Sequence, residues 1–338
     1  MATTGIYTLA NDQVYDQLVA LLNSIEANAG RSLPVAVIAY DDRLEKVAAE
    51  IDRRPQVTLL HDPALFAPWE EFSLQVWQTH PQALAQWQAQ GVKTAFFRVG
   101  ENHRYGAFNP EAPFESFIYM DADTLLLQPV DFIFEKLQEV DFVLYDFQYK
   151  DPGHIYSLES PRLGQVFSTE AIERSIFCSG FYGAKRGLIT PDDRQWLLEQ
   201  LRQGDGEILY PRAPNQSLLN YMVMKLGLKV YNFGRELPPA QRTGNSVTSS
   251  HFEQRDRWLY DKGNPLTFLH YIGVSSRYFN RLCQGENLMF PYRDLFLDYR
   301  YAHEPHQRPV LQGKPQGYNQ SPGFWQRLIT KATKRLGL

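Results

Sequence analysis

The sequence predicts an α/β protein with a mostly parallel central sheet flanked by helices. Three observations carry that expectation. Short apolar, β-branched runs recur at Gly5–Leu9, Pro34–Tyr40 and Val57–Leu60, with helical patterns between them, the alternation of a sheet covered on both faces. The first two runs end at polar pairs, Asn11-Asp12 and Asp41-Asp42. The chain has 338 residues, 43% hydrophobic and 21% charged, which is ample for a buried core and too apolar for a disordered chain.

The elements follow in order. Val14, Leu18, Leu21, Leu22 and Ile25 stand at helical spacing, with Asn11 or Asp12 as cap and Gly30 just past the end. A helix is expected from Trp77 to Val92 and a separate one from Val92 to Arg98. Residues 99–113 are rich in Gly, Asn and Pro and read as a long loop. Phe117–Met120 and Asp141–Tyr145 are buried strands, followed by a polar loop to Pro161. Ile176–Ala184 is a strand interrupted by Gly180 and Gly183. Thr190 caps a helix that has Pro191 at its first position. Leu218, Leu219, Met222, Val223 and Leu226 stripe another, closed by Gly227, and Leu228–Phe233 and Leu266–Ile272 are later strands. Residues 1–303 are expected to form one domain, with halves at 1–125 and 126–303. A Pro/Gln/Gly-rich linker at 304–322 and a basic amphipathic helix at 323–338 follow.

The net charge of −4 argues against nucleic acid as a partner. Two cysteines, Cys178 and Cys283, make neither a disulfide framework nor a structural zinc site. They suit a reducing, cytoplasmic setting, as does the lack of a leader pattern at Met1–Tyr7. No apolar run approaches the ~20 residues that cross a bilayer.

The sharpest chemical feature is Asp121-Ala122-Asp123, directly after the strand Phe117–Met120. In an extended segment, residues two apart share a side. Carboxylates about 4 Å apart repel by ~4 kcal/mol at an effective dielectric of about 20. A divalent cation removes that penalty and can bridge to phosphate oxygens. Two solvated turn acids would look the same in sequence. His270, in His270-Tyr271-Ile272-Gly273, would complete a site of one nitrogen and several oxygens, suited to manganese; a hydrogen-bonded strand-end histidine is the plainer alternative. The turn Thr8–Asp12 sits where a base and ribose commonly lie in such sheets. It lacks Gly-X-Gly-X-X-Gly, and a simple helix cap is its alternative.

In this order, the motifs resemble those of glycosyltransferase family 8, which includes glycogenin and bacterial lipopolysaccharide galactosyltransferases. The matching segments are Thr8-Leu9-Ala10-Asn11-Asp12, Ser24, Arg98, Tyr119-Met120-Asp121-Ala122-Asp123-Thr124, Ser179-Gly180-Phe181, Asn215-Gln216 with Asn220, and His270-Tyr271-Ile272-Gly273. The resemblance spans residues 3–280 and implies a GT-A fold with a nucleotide-sugar donor, usually linked to UDP. It implies manganese or magnesium between Asp121, Asp123 and His270. It gives Thr8, Ala10, Asn11 and Asp12 to the base and ribose, and Arg98 to bracing the sugar and the first aspartate. Ser179 and Gly180 would let backbone approach the donor sugar closely, Gly273 would also bind the donor, and Gln216 would face the donor sugar. The acceptor would be a glycan or a lipid-linked sugar, with Asp146 as a candidate for one of its hydroxyls. Transfer would retain configuration.

The chain departs from the family pattern at three places. Cys178 and Asn215 stand where asparagine and aspartate are usual, and Ser276 replaces a lysine, with Arg277 beside it. Asn215 cannot be a carboxylate nucleophile, so a front-face route is expected over double displacement. One rival reading is a haloacid-dehalogenase-type phosphatase using Asp121 and Asp123, with Lys185 and Asp192-Asp193 as later motifs. Another is a non-catalytic sugar-nucleotide-binding protein.

From Gly323 onward, Phe324, Trp325, Leu328, Ile329, Ala332 and Leu336 fall on one helical side. Arg327, Lys331, Lys334 and Arg335 are interspersed, and no acid occurs after Ser321. Such a segment suits the face of an anionic membrane, where each cation adds ~1 kcal/mol; an ordinary packed helix is the alternative. The anchor reading predicts co-sedimentation with anionic vesicles that weakens at high salt and is lost when the chain stops at Gln320. Equal binding by the full and shortened chains would favour the packed helix.

Overall fold

A computed structural model describes residues 3–92 and 97–318. The first eight strands are β1 (Thr4–Ala10), β2 (Val35–Ala39), β3 (Val57–Leu60), β4 (Ser116–Met120), β5 (Thr124–Leu126), β6 (Phe142–Leu144), β7 (Phe181–Lys185) and β8 (Val230–Asn232). Seven of them form a central sheet in the order β3-β2-β1-β4-β7-β6-β8. Neighbours run parallel except at β7, which is antiparallel to both β4 and β6. The predicted fold class therefore holds, with one reversed strand in the sheet.

The sheet divides the core by the two-residue period of its strands. Tyr7, Leu9, Ala36, Ile38, Phe117 and Tyr119 face one layer, with Trp69, Val76, Leu197 and Leu219 from its covering helices. Ile6, Ala10, Val35, Val37, Ile118 and Met120 face the other, against Leu18, Leu21, Ile25 and Ile133. The helix Tyr15–Asn28 follows an Asn11-capped 3₁₀ turn, and Gly30 takes the left-handed backbone beyond its end. Pro191–Arg202 opens with a capping box between Thr190 and Asp193.

A smaller third cluster forms from the chain's later part. Its strands are β9 (Glu253–Arg255), β10 (Trp258–Asp261), β11 (Asn264–Pro265), β12 (Phe268–His270), β13 (Glu286–Met289) and β14 (Gln312–Gly317). β12 pairs antiparallel with β5, setting His270 opposite Thr124. Buried Ser24 holds β5 in place by accepting the Leu126 N–H (2.9 Å).

Several expected elements are corrected. The 77–92 helix is two helices, Ala67–Thr79 and Ala83–Ala89. The break is His80, driven to an extended ψ of 127° by the proline that follows it. Residues 93–96 of the expected 92–98 helix lie outside the described residues. Arg98 has a left-handed φ of 58° and opens a 3₁₀ helix, Val99–Phe108, within what reads as a loop. Its Tyr105, Ala107 and Phe108 are buried. Strand pairing in the 176–184 run begins only at Phe181. The expected 304–322 linker contains β14, paired parallel with β13, so the chain through Tyr318 belongs to the folded body. The expected helix 323–338 lies outside the described residues. No helix among the described residues is long and apolar enough to cross a membrane.

Phe268 stacks on Phe181 with centroids 3.9 Å apart, tying β12 to the main sheet. Phe268→Ala should cost about 3–5 kcal/mol and lower the melting temperature. A melt within a degree of the native protein would show that this stack does not fix β12.

Candidate functional site

The carboxyl ends of β1, β2 and β4 share one edge of the sheet. There the chain leaves β4 at Asp121 and turns at once. The Thr124 N–H and hydroxyl both donate to the Asp121 carbonyl (3.1 and 2.7 Å). Asp121 and Asp123 therefore converge through a tight turn rather than along an extended strand. The Tyr271 N–H donates to the Asp123 carbonyl and the Asp121 N–H to the Gly180 carbonyl, each at 2.9 Å. These bonds draw the end of β12 and the entrance to β7 onto the same corner.

Asp121, Asp123 and His270 each offer a ligand atom there, all within 4.8 Å of one another. Nε2 of His270 is 3.4 Å from Asp123 Oδ1. Burial alone would lower the His270 pKa, but the Asp123 carboxylate outweighs it and holds the imidazole well above its ordinary value. Two carboxylates and one imidazole suit a hard divalent cation such as manganese or magnesium. Gly180 leaves the required space. A Cβ there would lie 2.4 Å from His270 Cε1 and 3.0 Å from Asp121 Oδ2, so a side chain would crowd the ligands themselves.

Beside this corner is a cleft of about 500 Å³ lined by Ala10, Asn11, Gln13, Tyr40, Arg43, Arg98, Glu101, Arg104 and the two aspartates. Ala10 and Asn11 thus reach the cleft as expected, and Asn11 donates to Asp41 Oδ2 (2.9 Å). Thr8 is fully buried within β1, its hydroxyl unpartnered, and is not on the wall. Asp12 is committed elsewhere: its carboxylate accepts the N–H groups of Lys46 and Val47 at 3.0 Å, capping the helix Glu45–Ile51. Gly273, at φ 81°, makes the turn that brings Val274, Ser275 and Ser276 to the opposite wall. Arg277 is exposed and off that wall.

The arginine that braces the first aspartate is Arg104, not Arg98. Arg104 is buried, 3.1 Å from Asp121 Oδ1 and 4.6 Å above the Tyr119 ring. The Tyr119 hydroxyl donates to the same oxygen (2.8 Å). Burial would depress the Arg104 pKa, but the Asp121 carboxylate raises it instead. Arg98 lines the cleft mouth, half exposed and paired with Glu101. Burial pushes Glu101 up to about 7, with Arg98 and Arg104 drawing it back. Sequence reasoning missed Arg104, whose burial beside Tyr105, Ala107 and Phe108 only the structure shows.

Residues 177–179 approach the corner formed by Asp121, Asp123 and His270 as a clamped segment that precedes β7. Asn220 exchanges hydrogen bonds with both the N–H and carbonyl of Phe177 (2.8 and 2.9 Å). The Cys178 N–H donates to Asp146 Oδ2 (3.1 Å), and the Ser179 N–H to Gln216 Oε1 (3.0 Å). Arg104 donates to the Ser179 carbonyl (3.1 Å). Asn215 is buried, its Oδ1 3.4 Å from the Ser179 hydroxyl. On the other side of His270 is a pocket of about 210 Å³, lined by Asp146, Gln148, His154, Cys178, Phe181, Asn245 and Phe268 among others. Burial pushes the Asp146 carboxyl up to about 7 despite N–H donors from Gln148 and Cys178.

No protein-family model and no curated protein matches the chain. Solved structures do. The apo structure of the bifunctional glycosyltransferase WbbM aligns at TM-score 0.53 and 13% identity, over 91% of this chain and 52% of that one. The galactosyltransferase LgtC, in complex with donor and acceptor sugar analogs, aligns at TM-score 0.52 and 13% identity, over 82% of this chain and 94% of that one. The chain thus spans about half the length of the WbbM chain. These likenesses show a GT-A type of fold.

The two arginines can be told apart by substitution. Arg104→Met leaves a partly buried carboxylate without its partner and should cost about 3–5 kcal/mol. Arg98→Met should cost about 1 kcal/mol or less, because Arg98 is half exposed. Denaturant unfolding measures both, and equal losses would reverse the assignment of the brace.

Proposed function

We propose that this chain is a divalent-cation-dependent glycosyltransferase. In this reading it moves a sugar from a nucleotide sugar, with UDP as the carrier, to a glycan or lipid-linked acceptor. The observation that carries the reading is the Asp121, Asp123 and His270 cluster at the sheet edge beside a cleft of nucleotide size. Asp121, Asp123 and His270 would hold the cation, which supplies Lewis-acid neutralisation of charge on the departing diphosphate.

The chain's own residues supply the remaining roles. Ala10 and Asn11 line the base and ribose end. Arg104 fixes Asp121, and Arg98 offers a cation at the mouth, toward the donor sugar. Ser179 and Gly180 present backbone to the donor, and Gly180 adds no side chain. Gln216 spans from the Ser179 N–H to the His154 carbonyl (3.4 Å), which holds its amide at the border between donor and acceptor sides. The donor half is residues 1–125 and the acceptor half residues 126–303. Asp146, in the pocket beyond His270, would receive an acceptor hydroxyl. Asn215 is a buried amide, so retention would proceed on the front face, with the leaving phosphate assisting the acceptor.

The phosphatase alternative fits less well. Lys185 pairs with Ser116, at the opposite end of β4 from Asp121. Asp193 is occupied in its own capping box. A non-catalytic binding protein remains the competing reading, because Cys178 and Asn215 depart from the family pattern.

A screen of nucleotide sugars with manganese, reading free nucleotide, tests the proposal. Turnover should appear with one donor and vanish on chelation and in Asp123→Ala. Nucleotide release unchanged by either would sink it; saturable binding without release would favour the binding protein. Proton NMR of the product should show an α-linkage from an α-donor, and a β-linkage would refute retention.

A further inference from the structure

We propose that Cys178 is a positioning residue for the Asp121, Asp123 and His270 corner: its thiol accepts the Nδ1 proton of His270 and so leaves the Nε2 lone pair for the cation that the two aspartates would share. The inference rests on the donor-site reading above and concerns a side chain that reading leaves idle.

The His270 ring is boxed on three sides. Nε2 faces Asp123 Oδ1 at 3.4 Å, Nδ1 faces Cys178 Sγ at 4.0 Å, and Gly180 closes on Cε1. Among the described residues, Nδ1 has one hydrogen-bond partner, the Cys178 sulfur. The sulfur is not free to wander. The Cys178 N–H is tied to Asp146, and its neighbours are tied to Asn220 and Gln216. A histidine that ligates a metal through one nitrogen is oriented by what the other nitrogen donates to, ordinarily a carboxylate, a carbonyl or water. Here that place is taken by a thiol, a weak acceptor, at a long reach. The imidazole is therefore held in the ligating tautomer but only lightly, which sets a modest affinity for the cation. The pocket of about 210 Å³ on the Cys178 side leaves room for a longer side chain.

The test is electron paramagnetic resonance of free manganese titrated with the full chain and uridine diphosphate, beside thermal melts. Cys178→Ala should weaken manganese binding about tenfold, the low end for loss of such a partner. Cys178→Asn, whose amide oxygen reaches one atom further, should bind as tightly as the native chain or more so. If the alanine variant does not fold, the asparagine variant decides alone, and weaker binding than native overturns the inference. A purely structural role would lower both melts without ordering the affinities. Native uptake with no difference among the variants refutes the role of Cys178 and leaves the donor site standing. No uptake by the native chain removes both.

Discussion

The candidate site depends on one buried contact, the Arg104 guanidinium between Asp121 and the Tyr119 ring. A buried cation is tolerable only when paired and hydrogen-bonded. Arg104 meets that demand with the Asp121 carboxylate, the Ser179 carbonyl and hydroxyl, and its own helix's Glu101 carbonyl. Those partners come from three separate stretches of chain, so satisfying one side chain draws all three together. The aromatic layer beneath is continuous with the contact. Tyr119 stacks on Tyr182, which stacks on Phe142, with centroids 5.2 and 5.0 Å apart. Core packing therefore reaches the first aspartate without an intervening flexible group.

The same logic explains the segment 177–180. As far as Ser179 it lies beside the sheet, and only its last residue, Gly180, meets the ladder, through the Asp121 N–H, yet buried backbone groups need partners. Side chains of Asn220, Asp146, Gln216 and Arg104 provide them in place of a neighbouring strand. A ladder would have required side chains on both faces. Side-chain clamps instead let the backbone turn its bare Gly180 edge toward His270.

Much of this arrangement was legible in the sequence, for reasons that differ by element. β1, β2 and β4 are apolar runs buried on both faces, a pattern that survives any detail of packing, and β3 is a half-buried edge strand. Asp121, Asp123 and His270 stood out because they follow apolar runs directly, where strands end. β5 was missed because three residues carry no periodicity, and its partner β12 is contributed from more than a hundred residues away. Arg104 was missed because burial of a charge is decided by partners distant in sequence, and Arg98 looked equivalent in a stretch with no pattern. Thr8 and Asp12 are given to the ligand by their place after β1 and by the family resemblance. The sheet took the first, and a helix that starts more than thirty residues later took the second.

The reversal of β7 has a bearing on how such a fold can vary the surface at one edge of its sheet. A strand running against its neighbours starts where they finish. The excursion from Asp146 to Gly180 therefore departs from the edge that carries the candidate site and returns to it, with its two ends joined by the Cys178–Asp146 hydrogen bond. Its packed residues, Ile155, Tyr156, Phe167 and Ile176 among them, belong to the core, but its exposed turns can lengthen at small entropic cost, since closing a longer loop becomes only slowly more expensive. The register of β4 and β7, which sets Asp121 against Gly180, is untouched by what happens between those ends. The excursion is a cassette in the topological sense: new surface can be written into it at this edge while the corner formed by Asp121, Asp123 and His270 keeps its geometry.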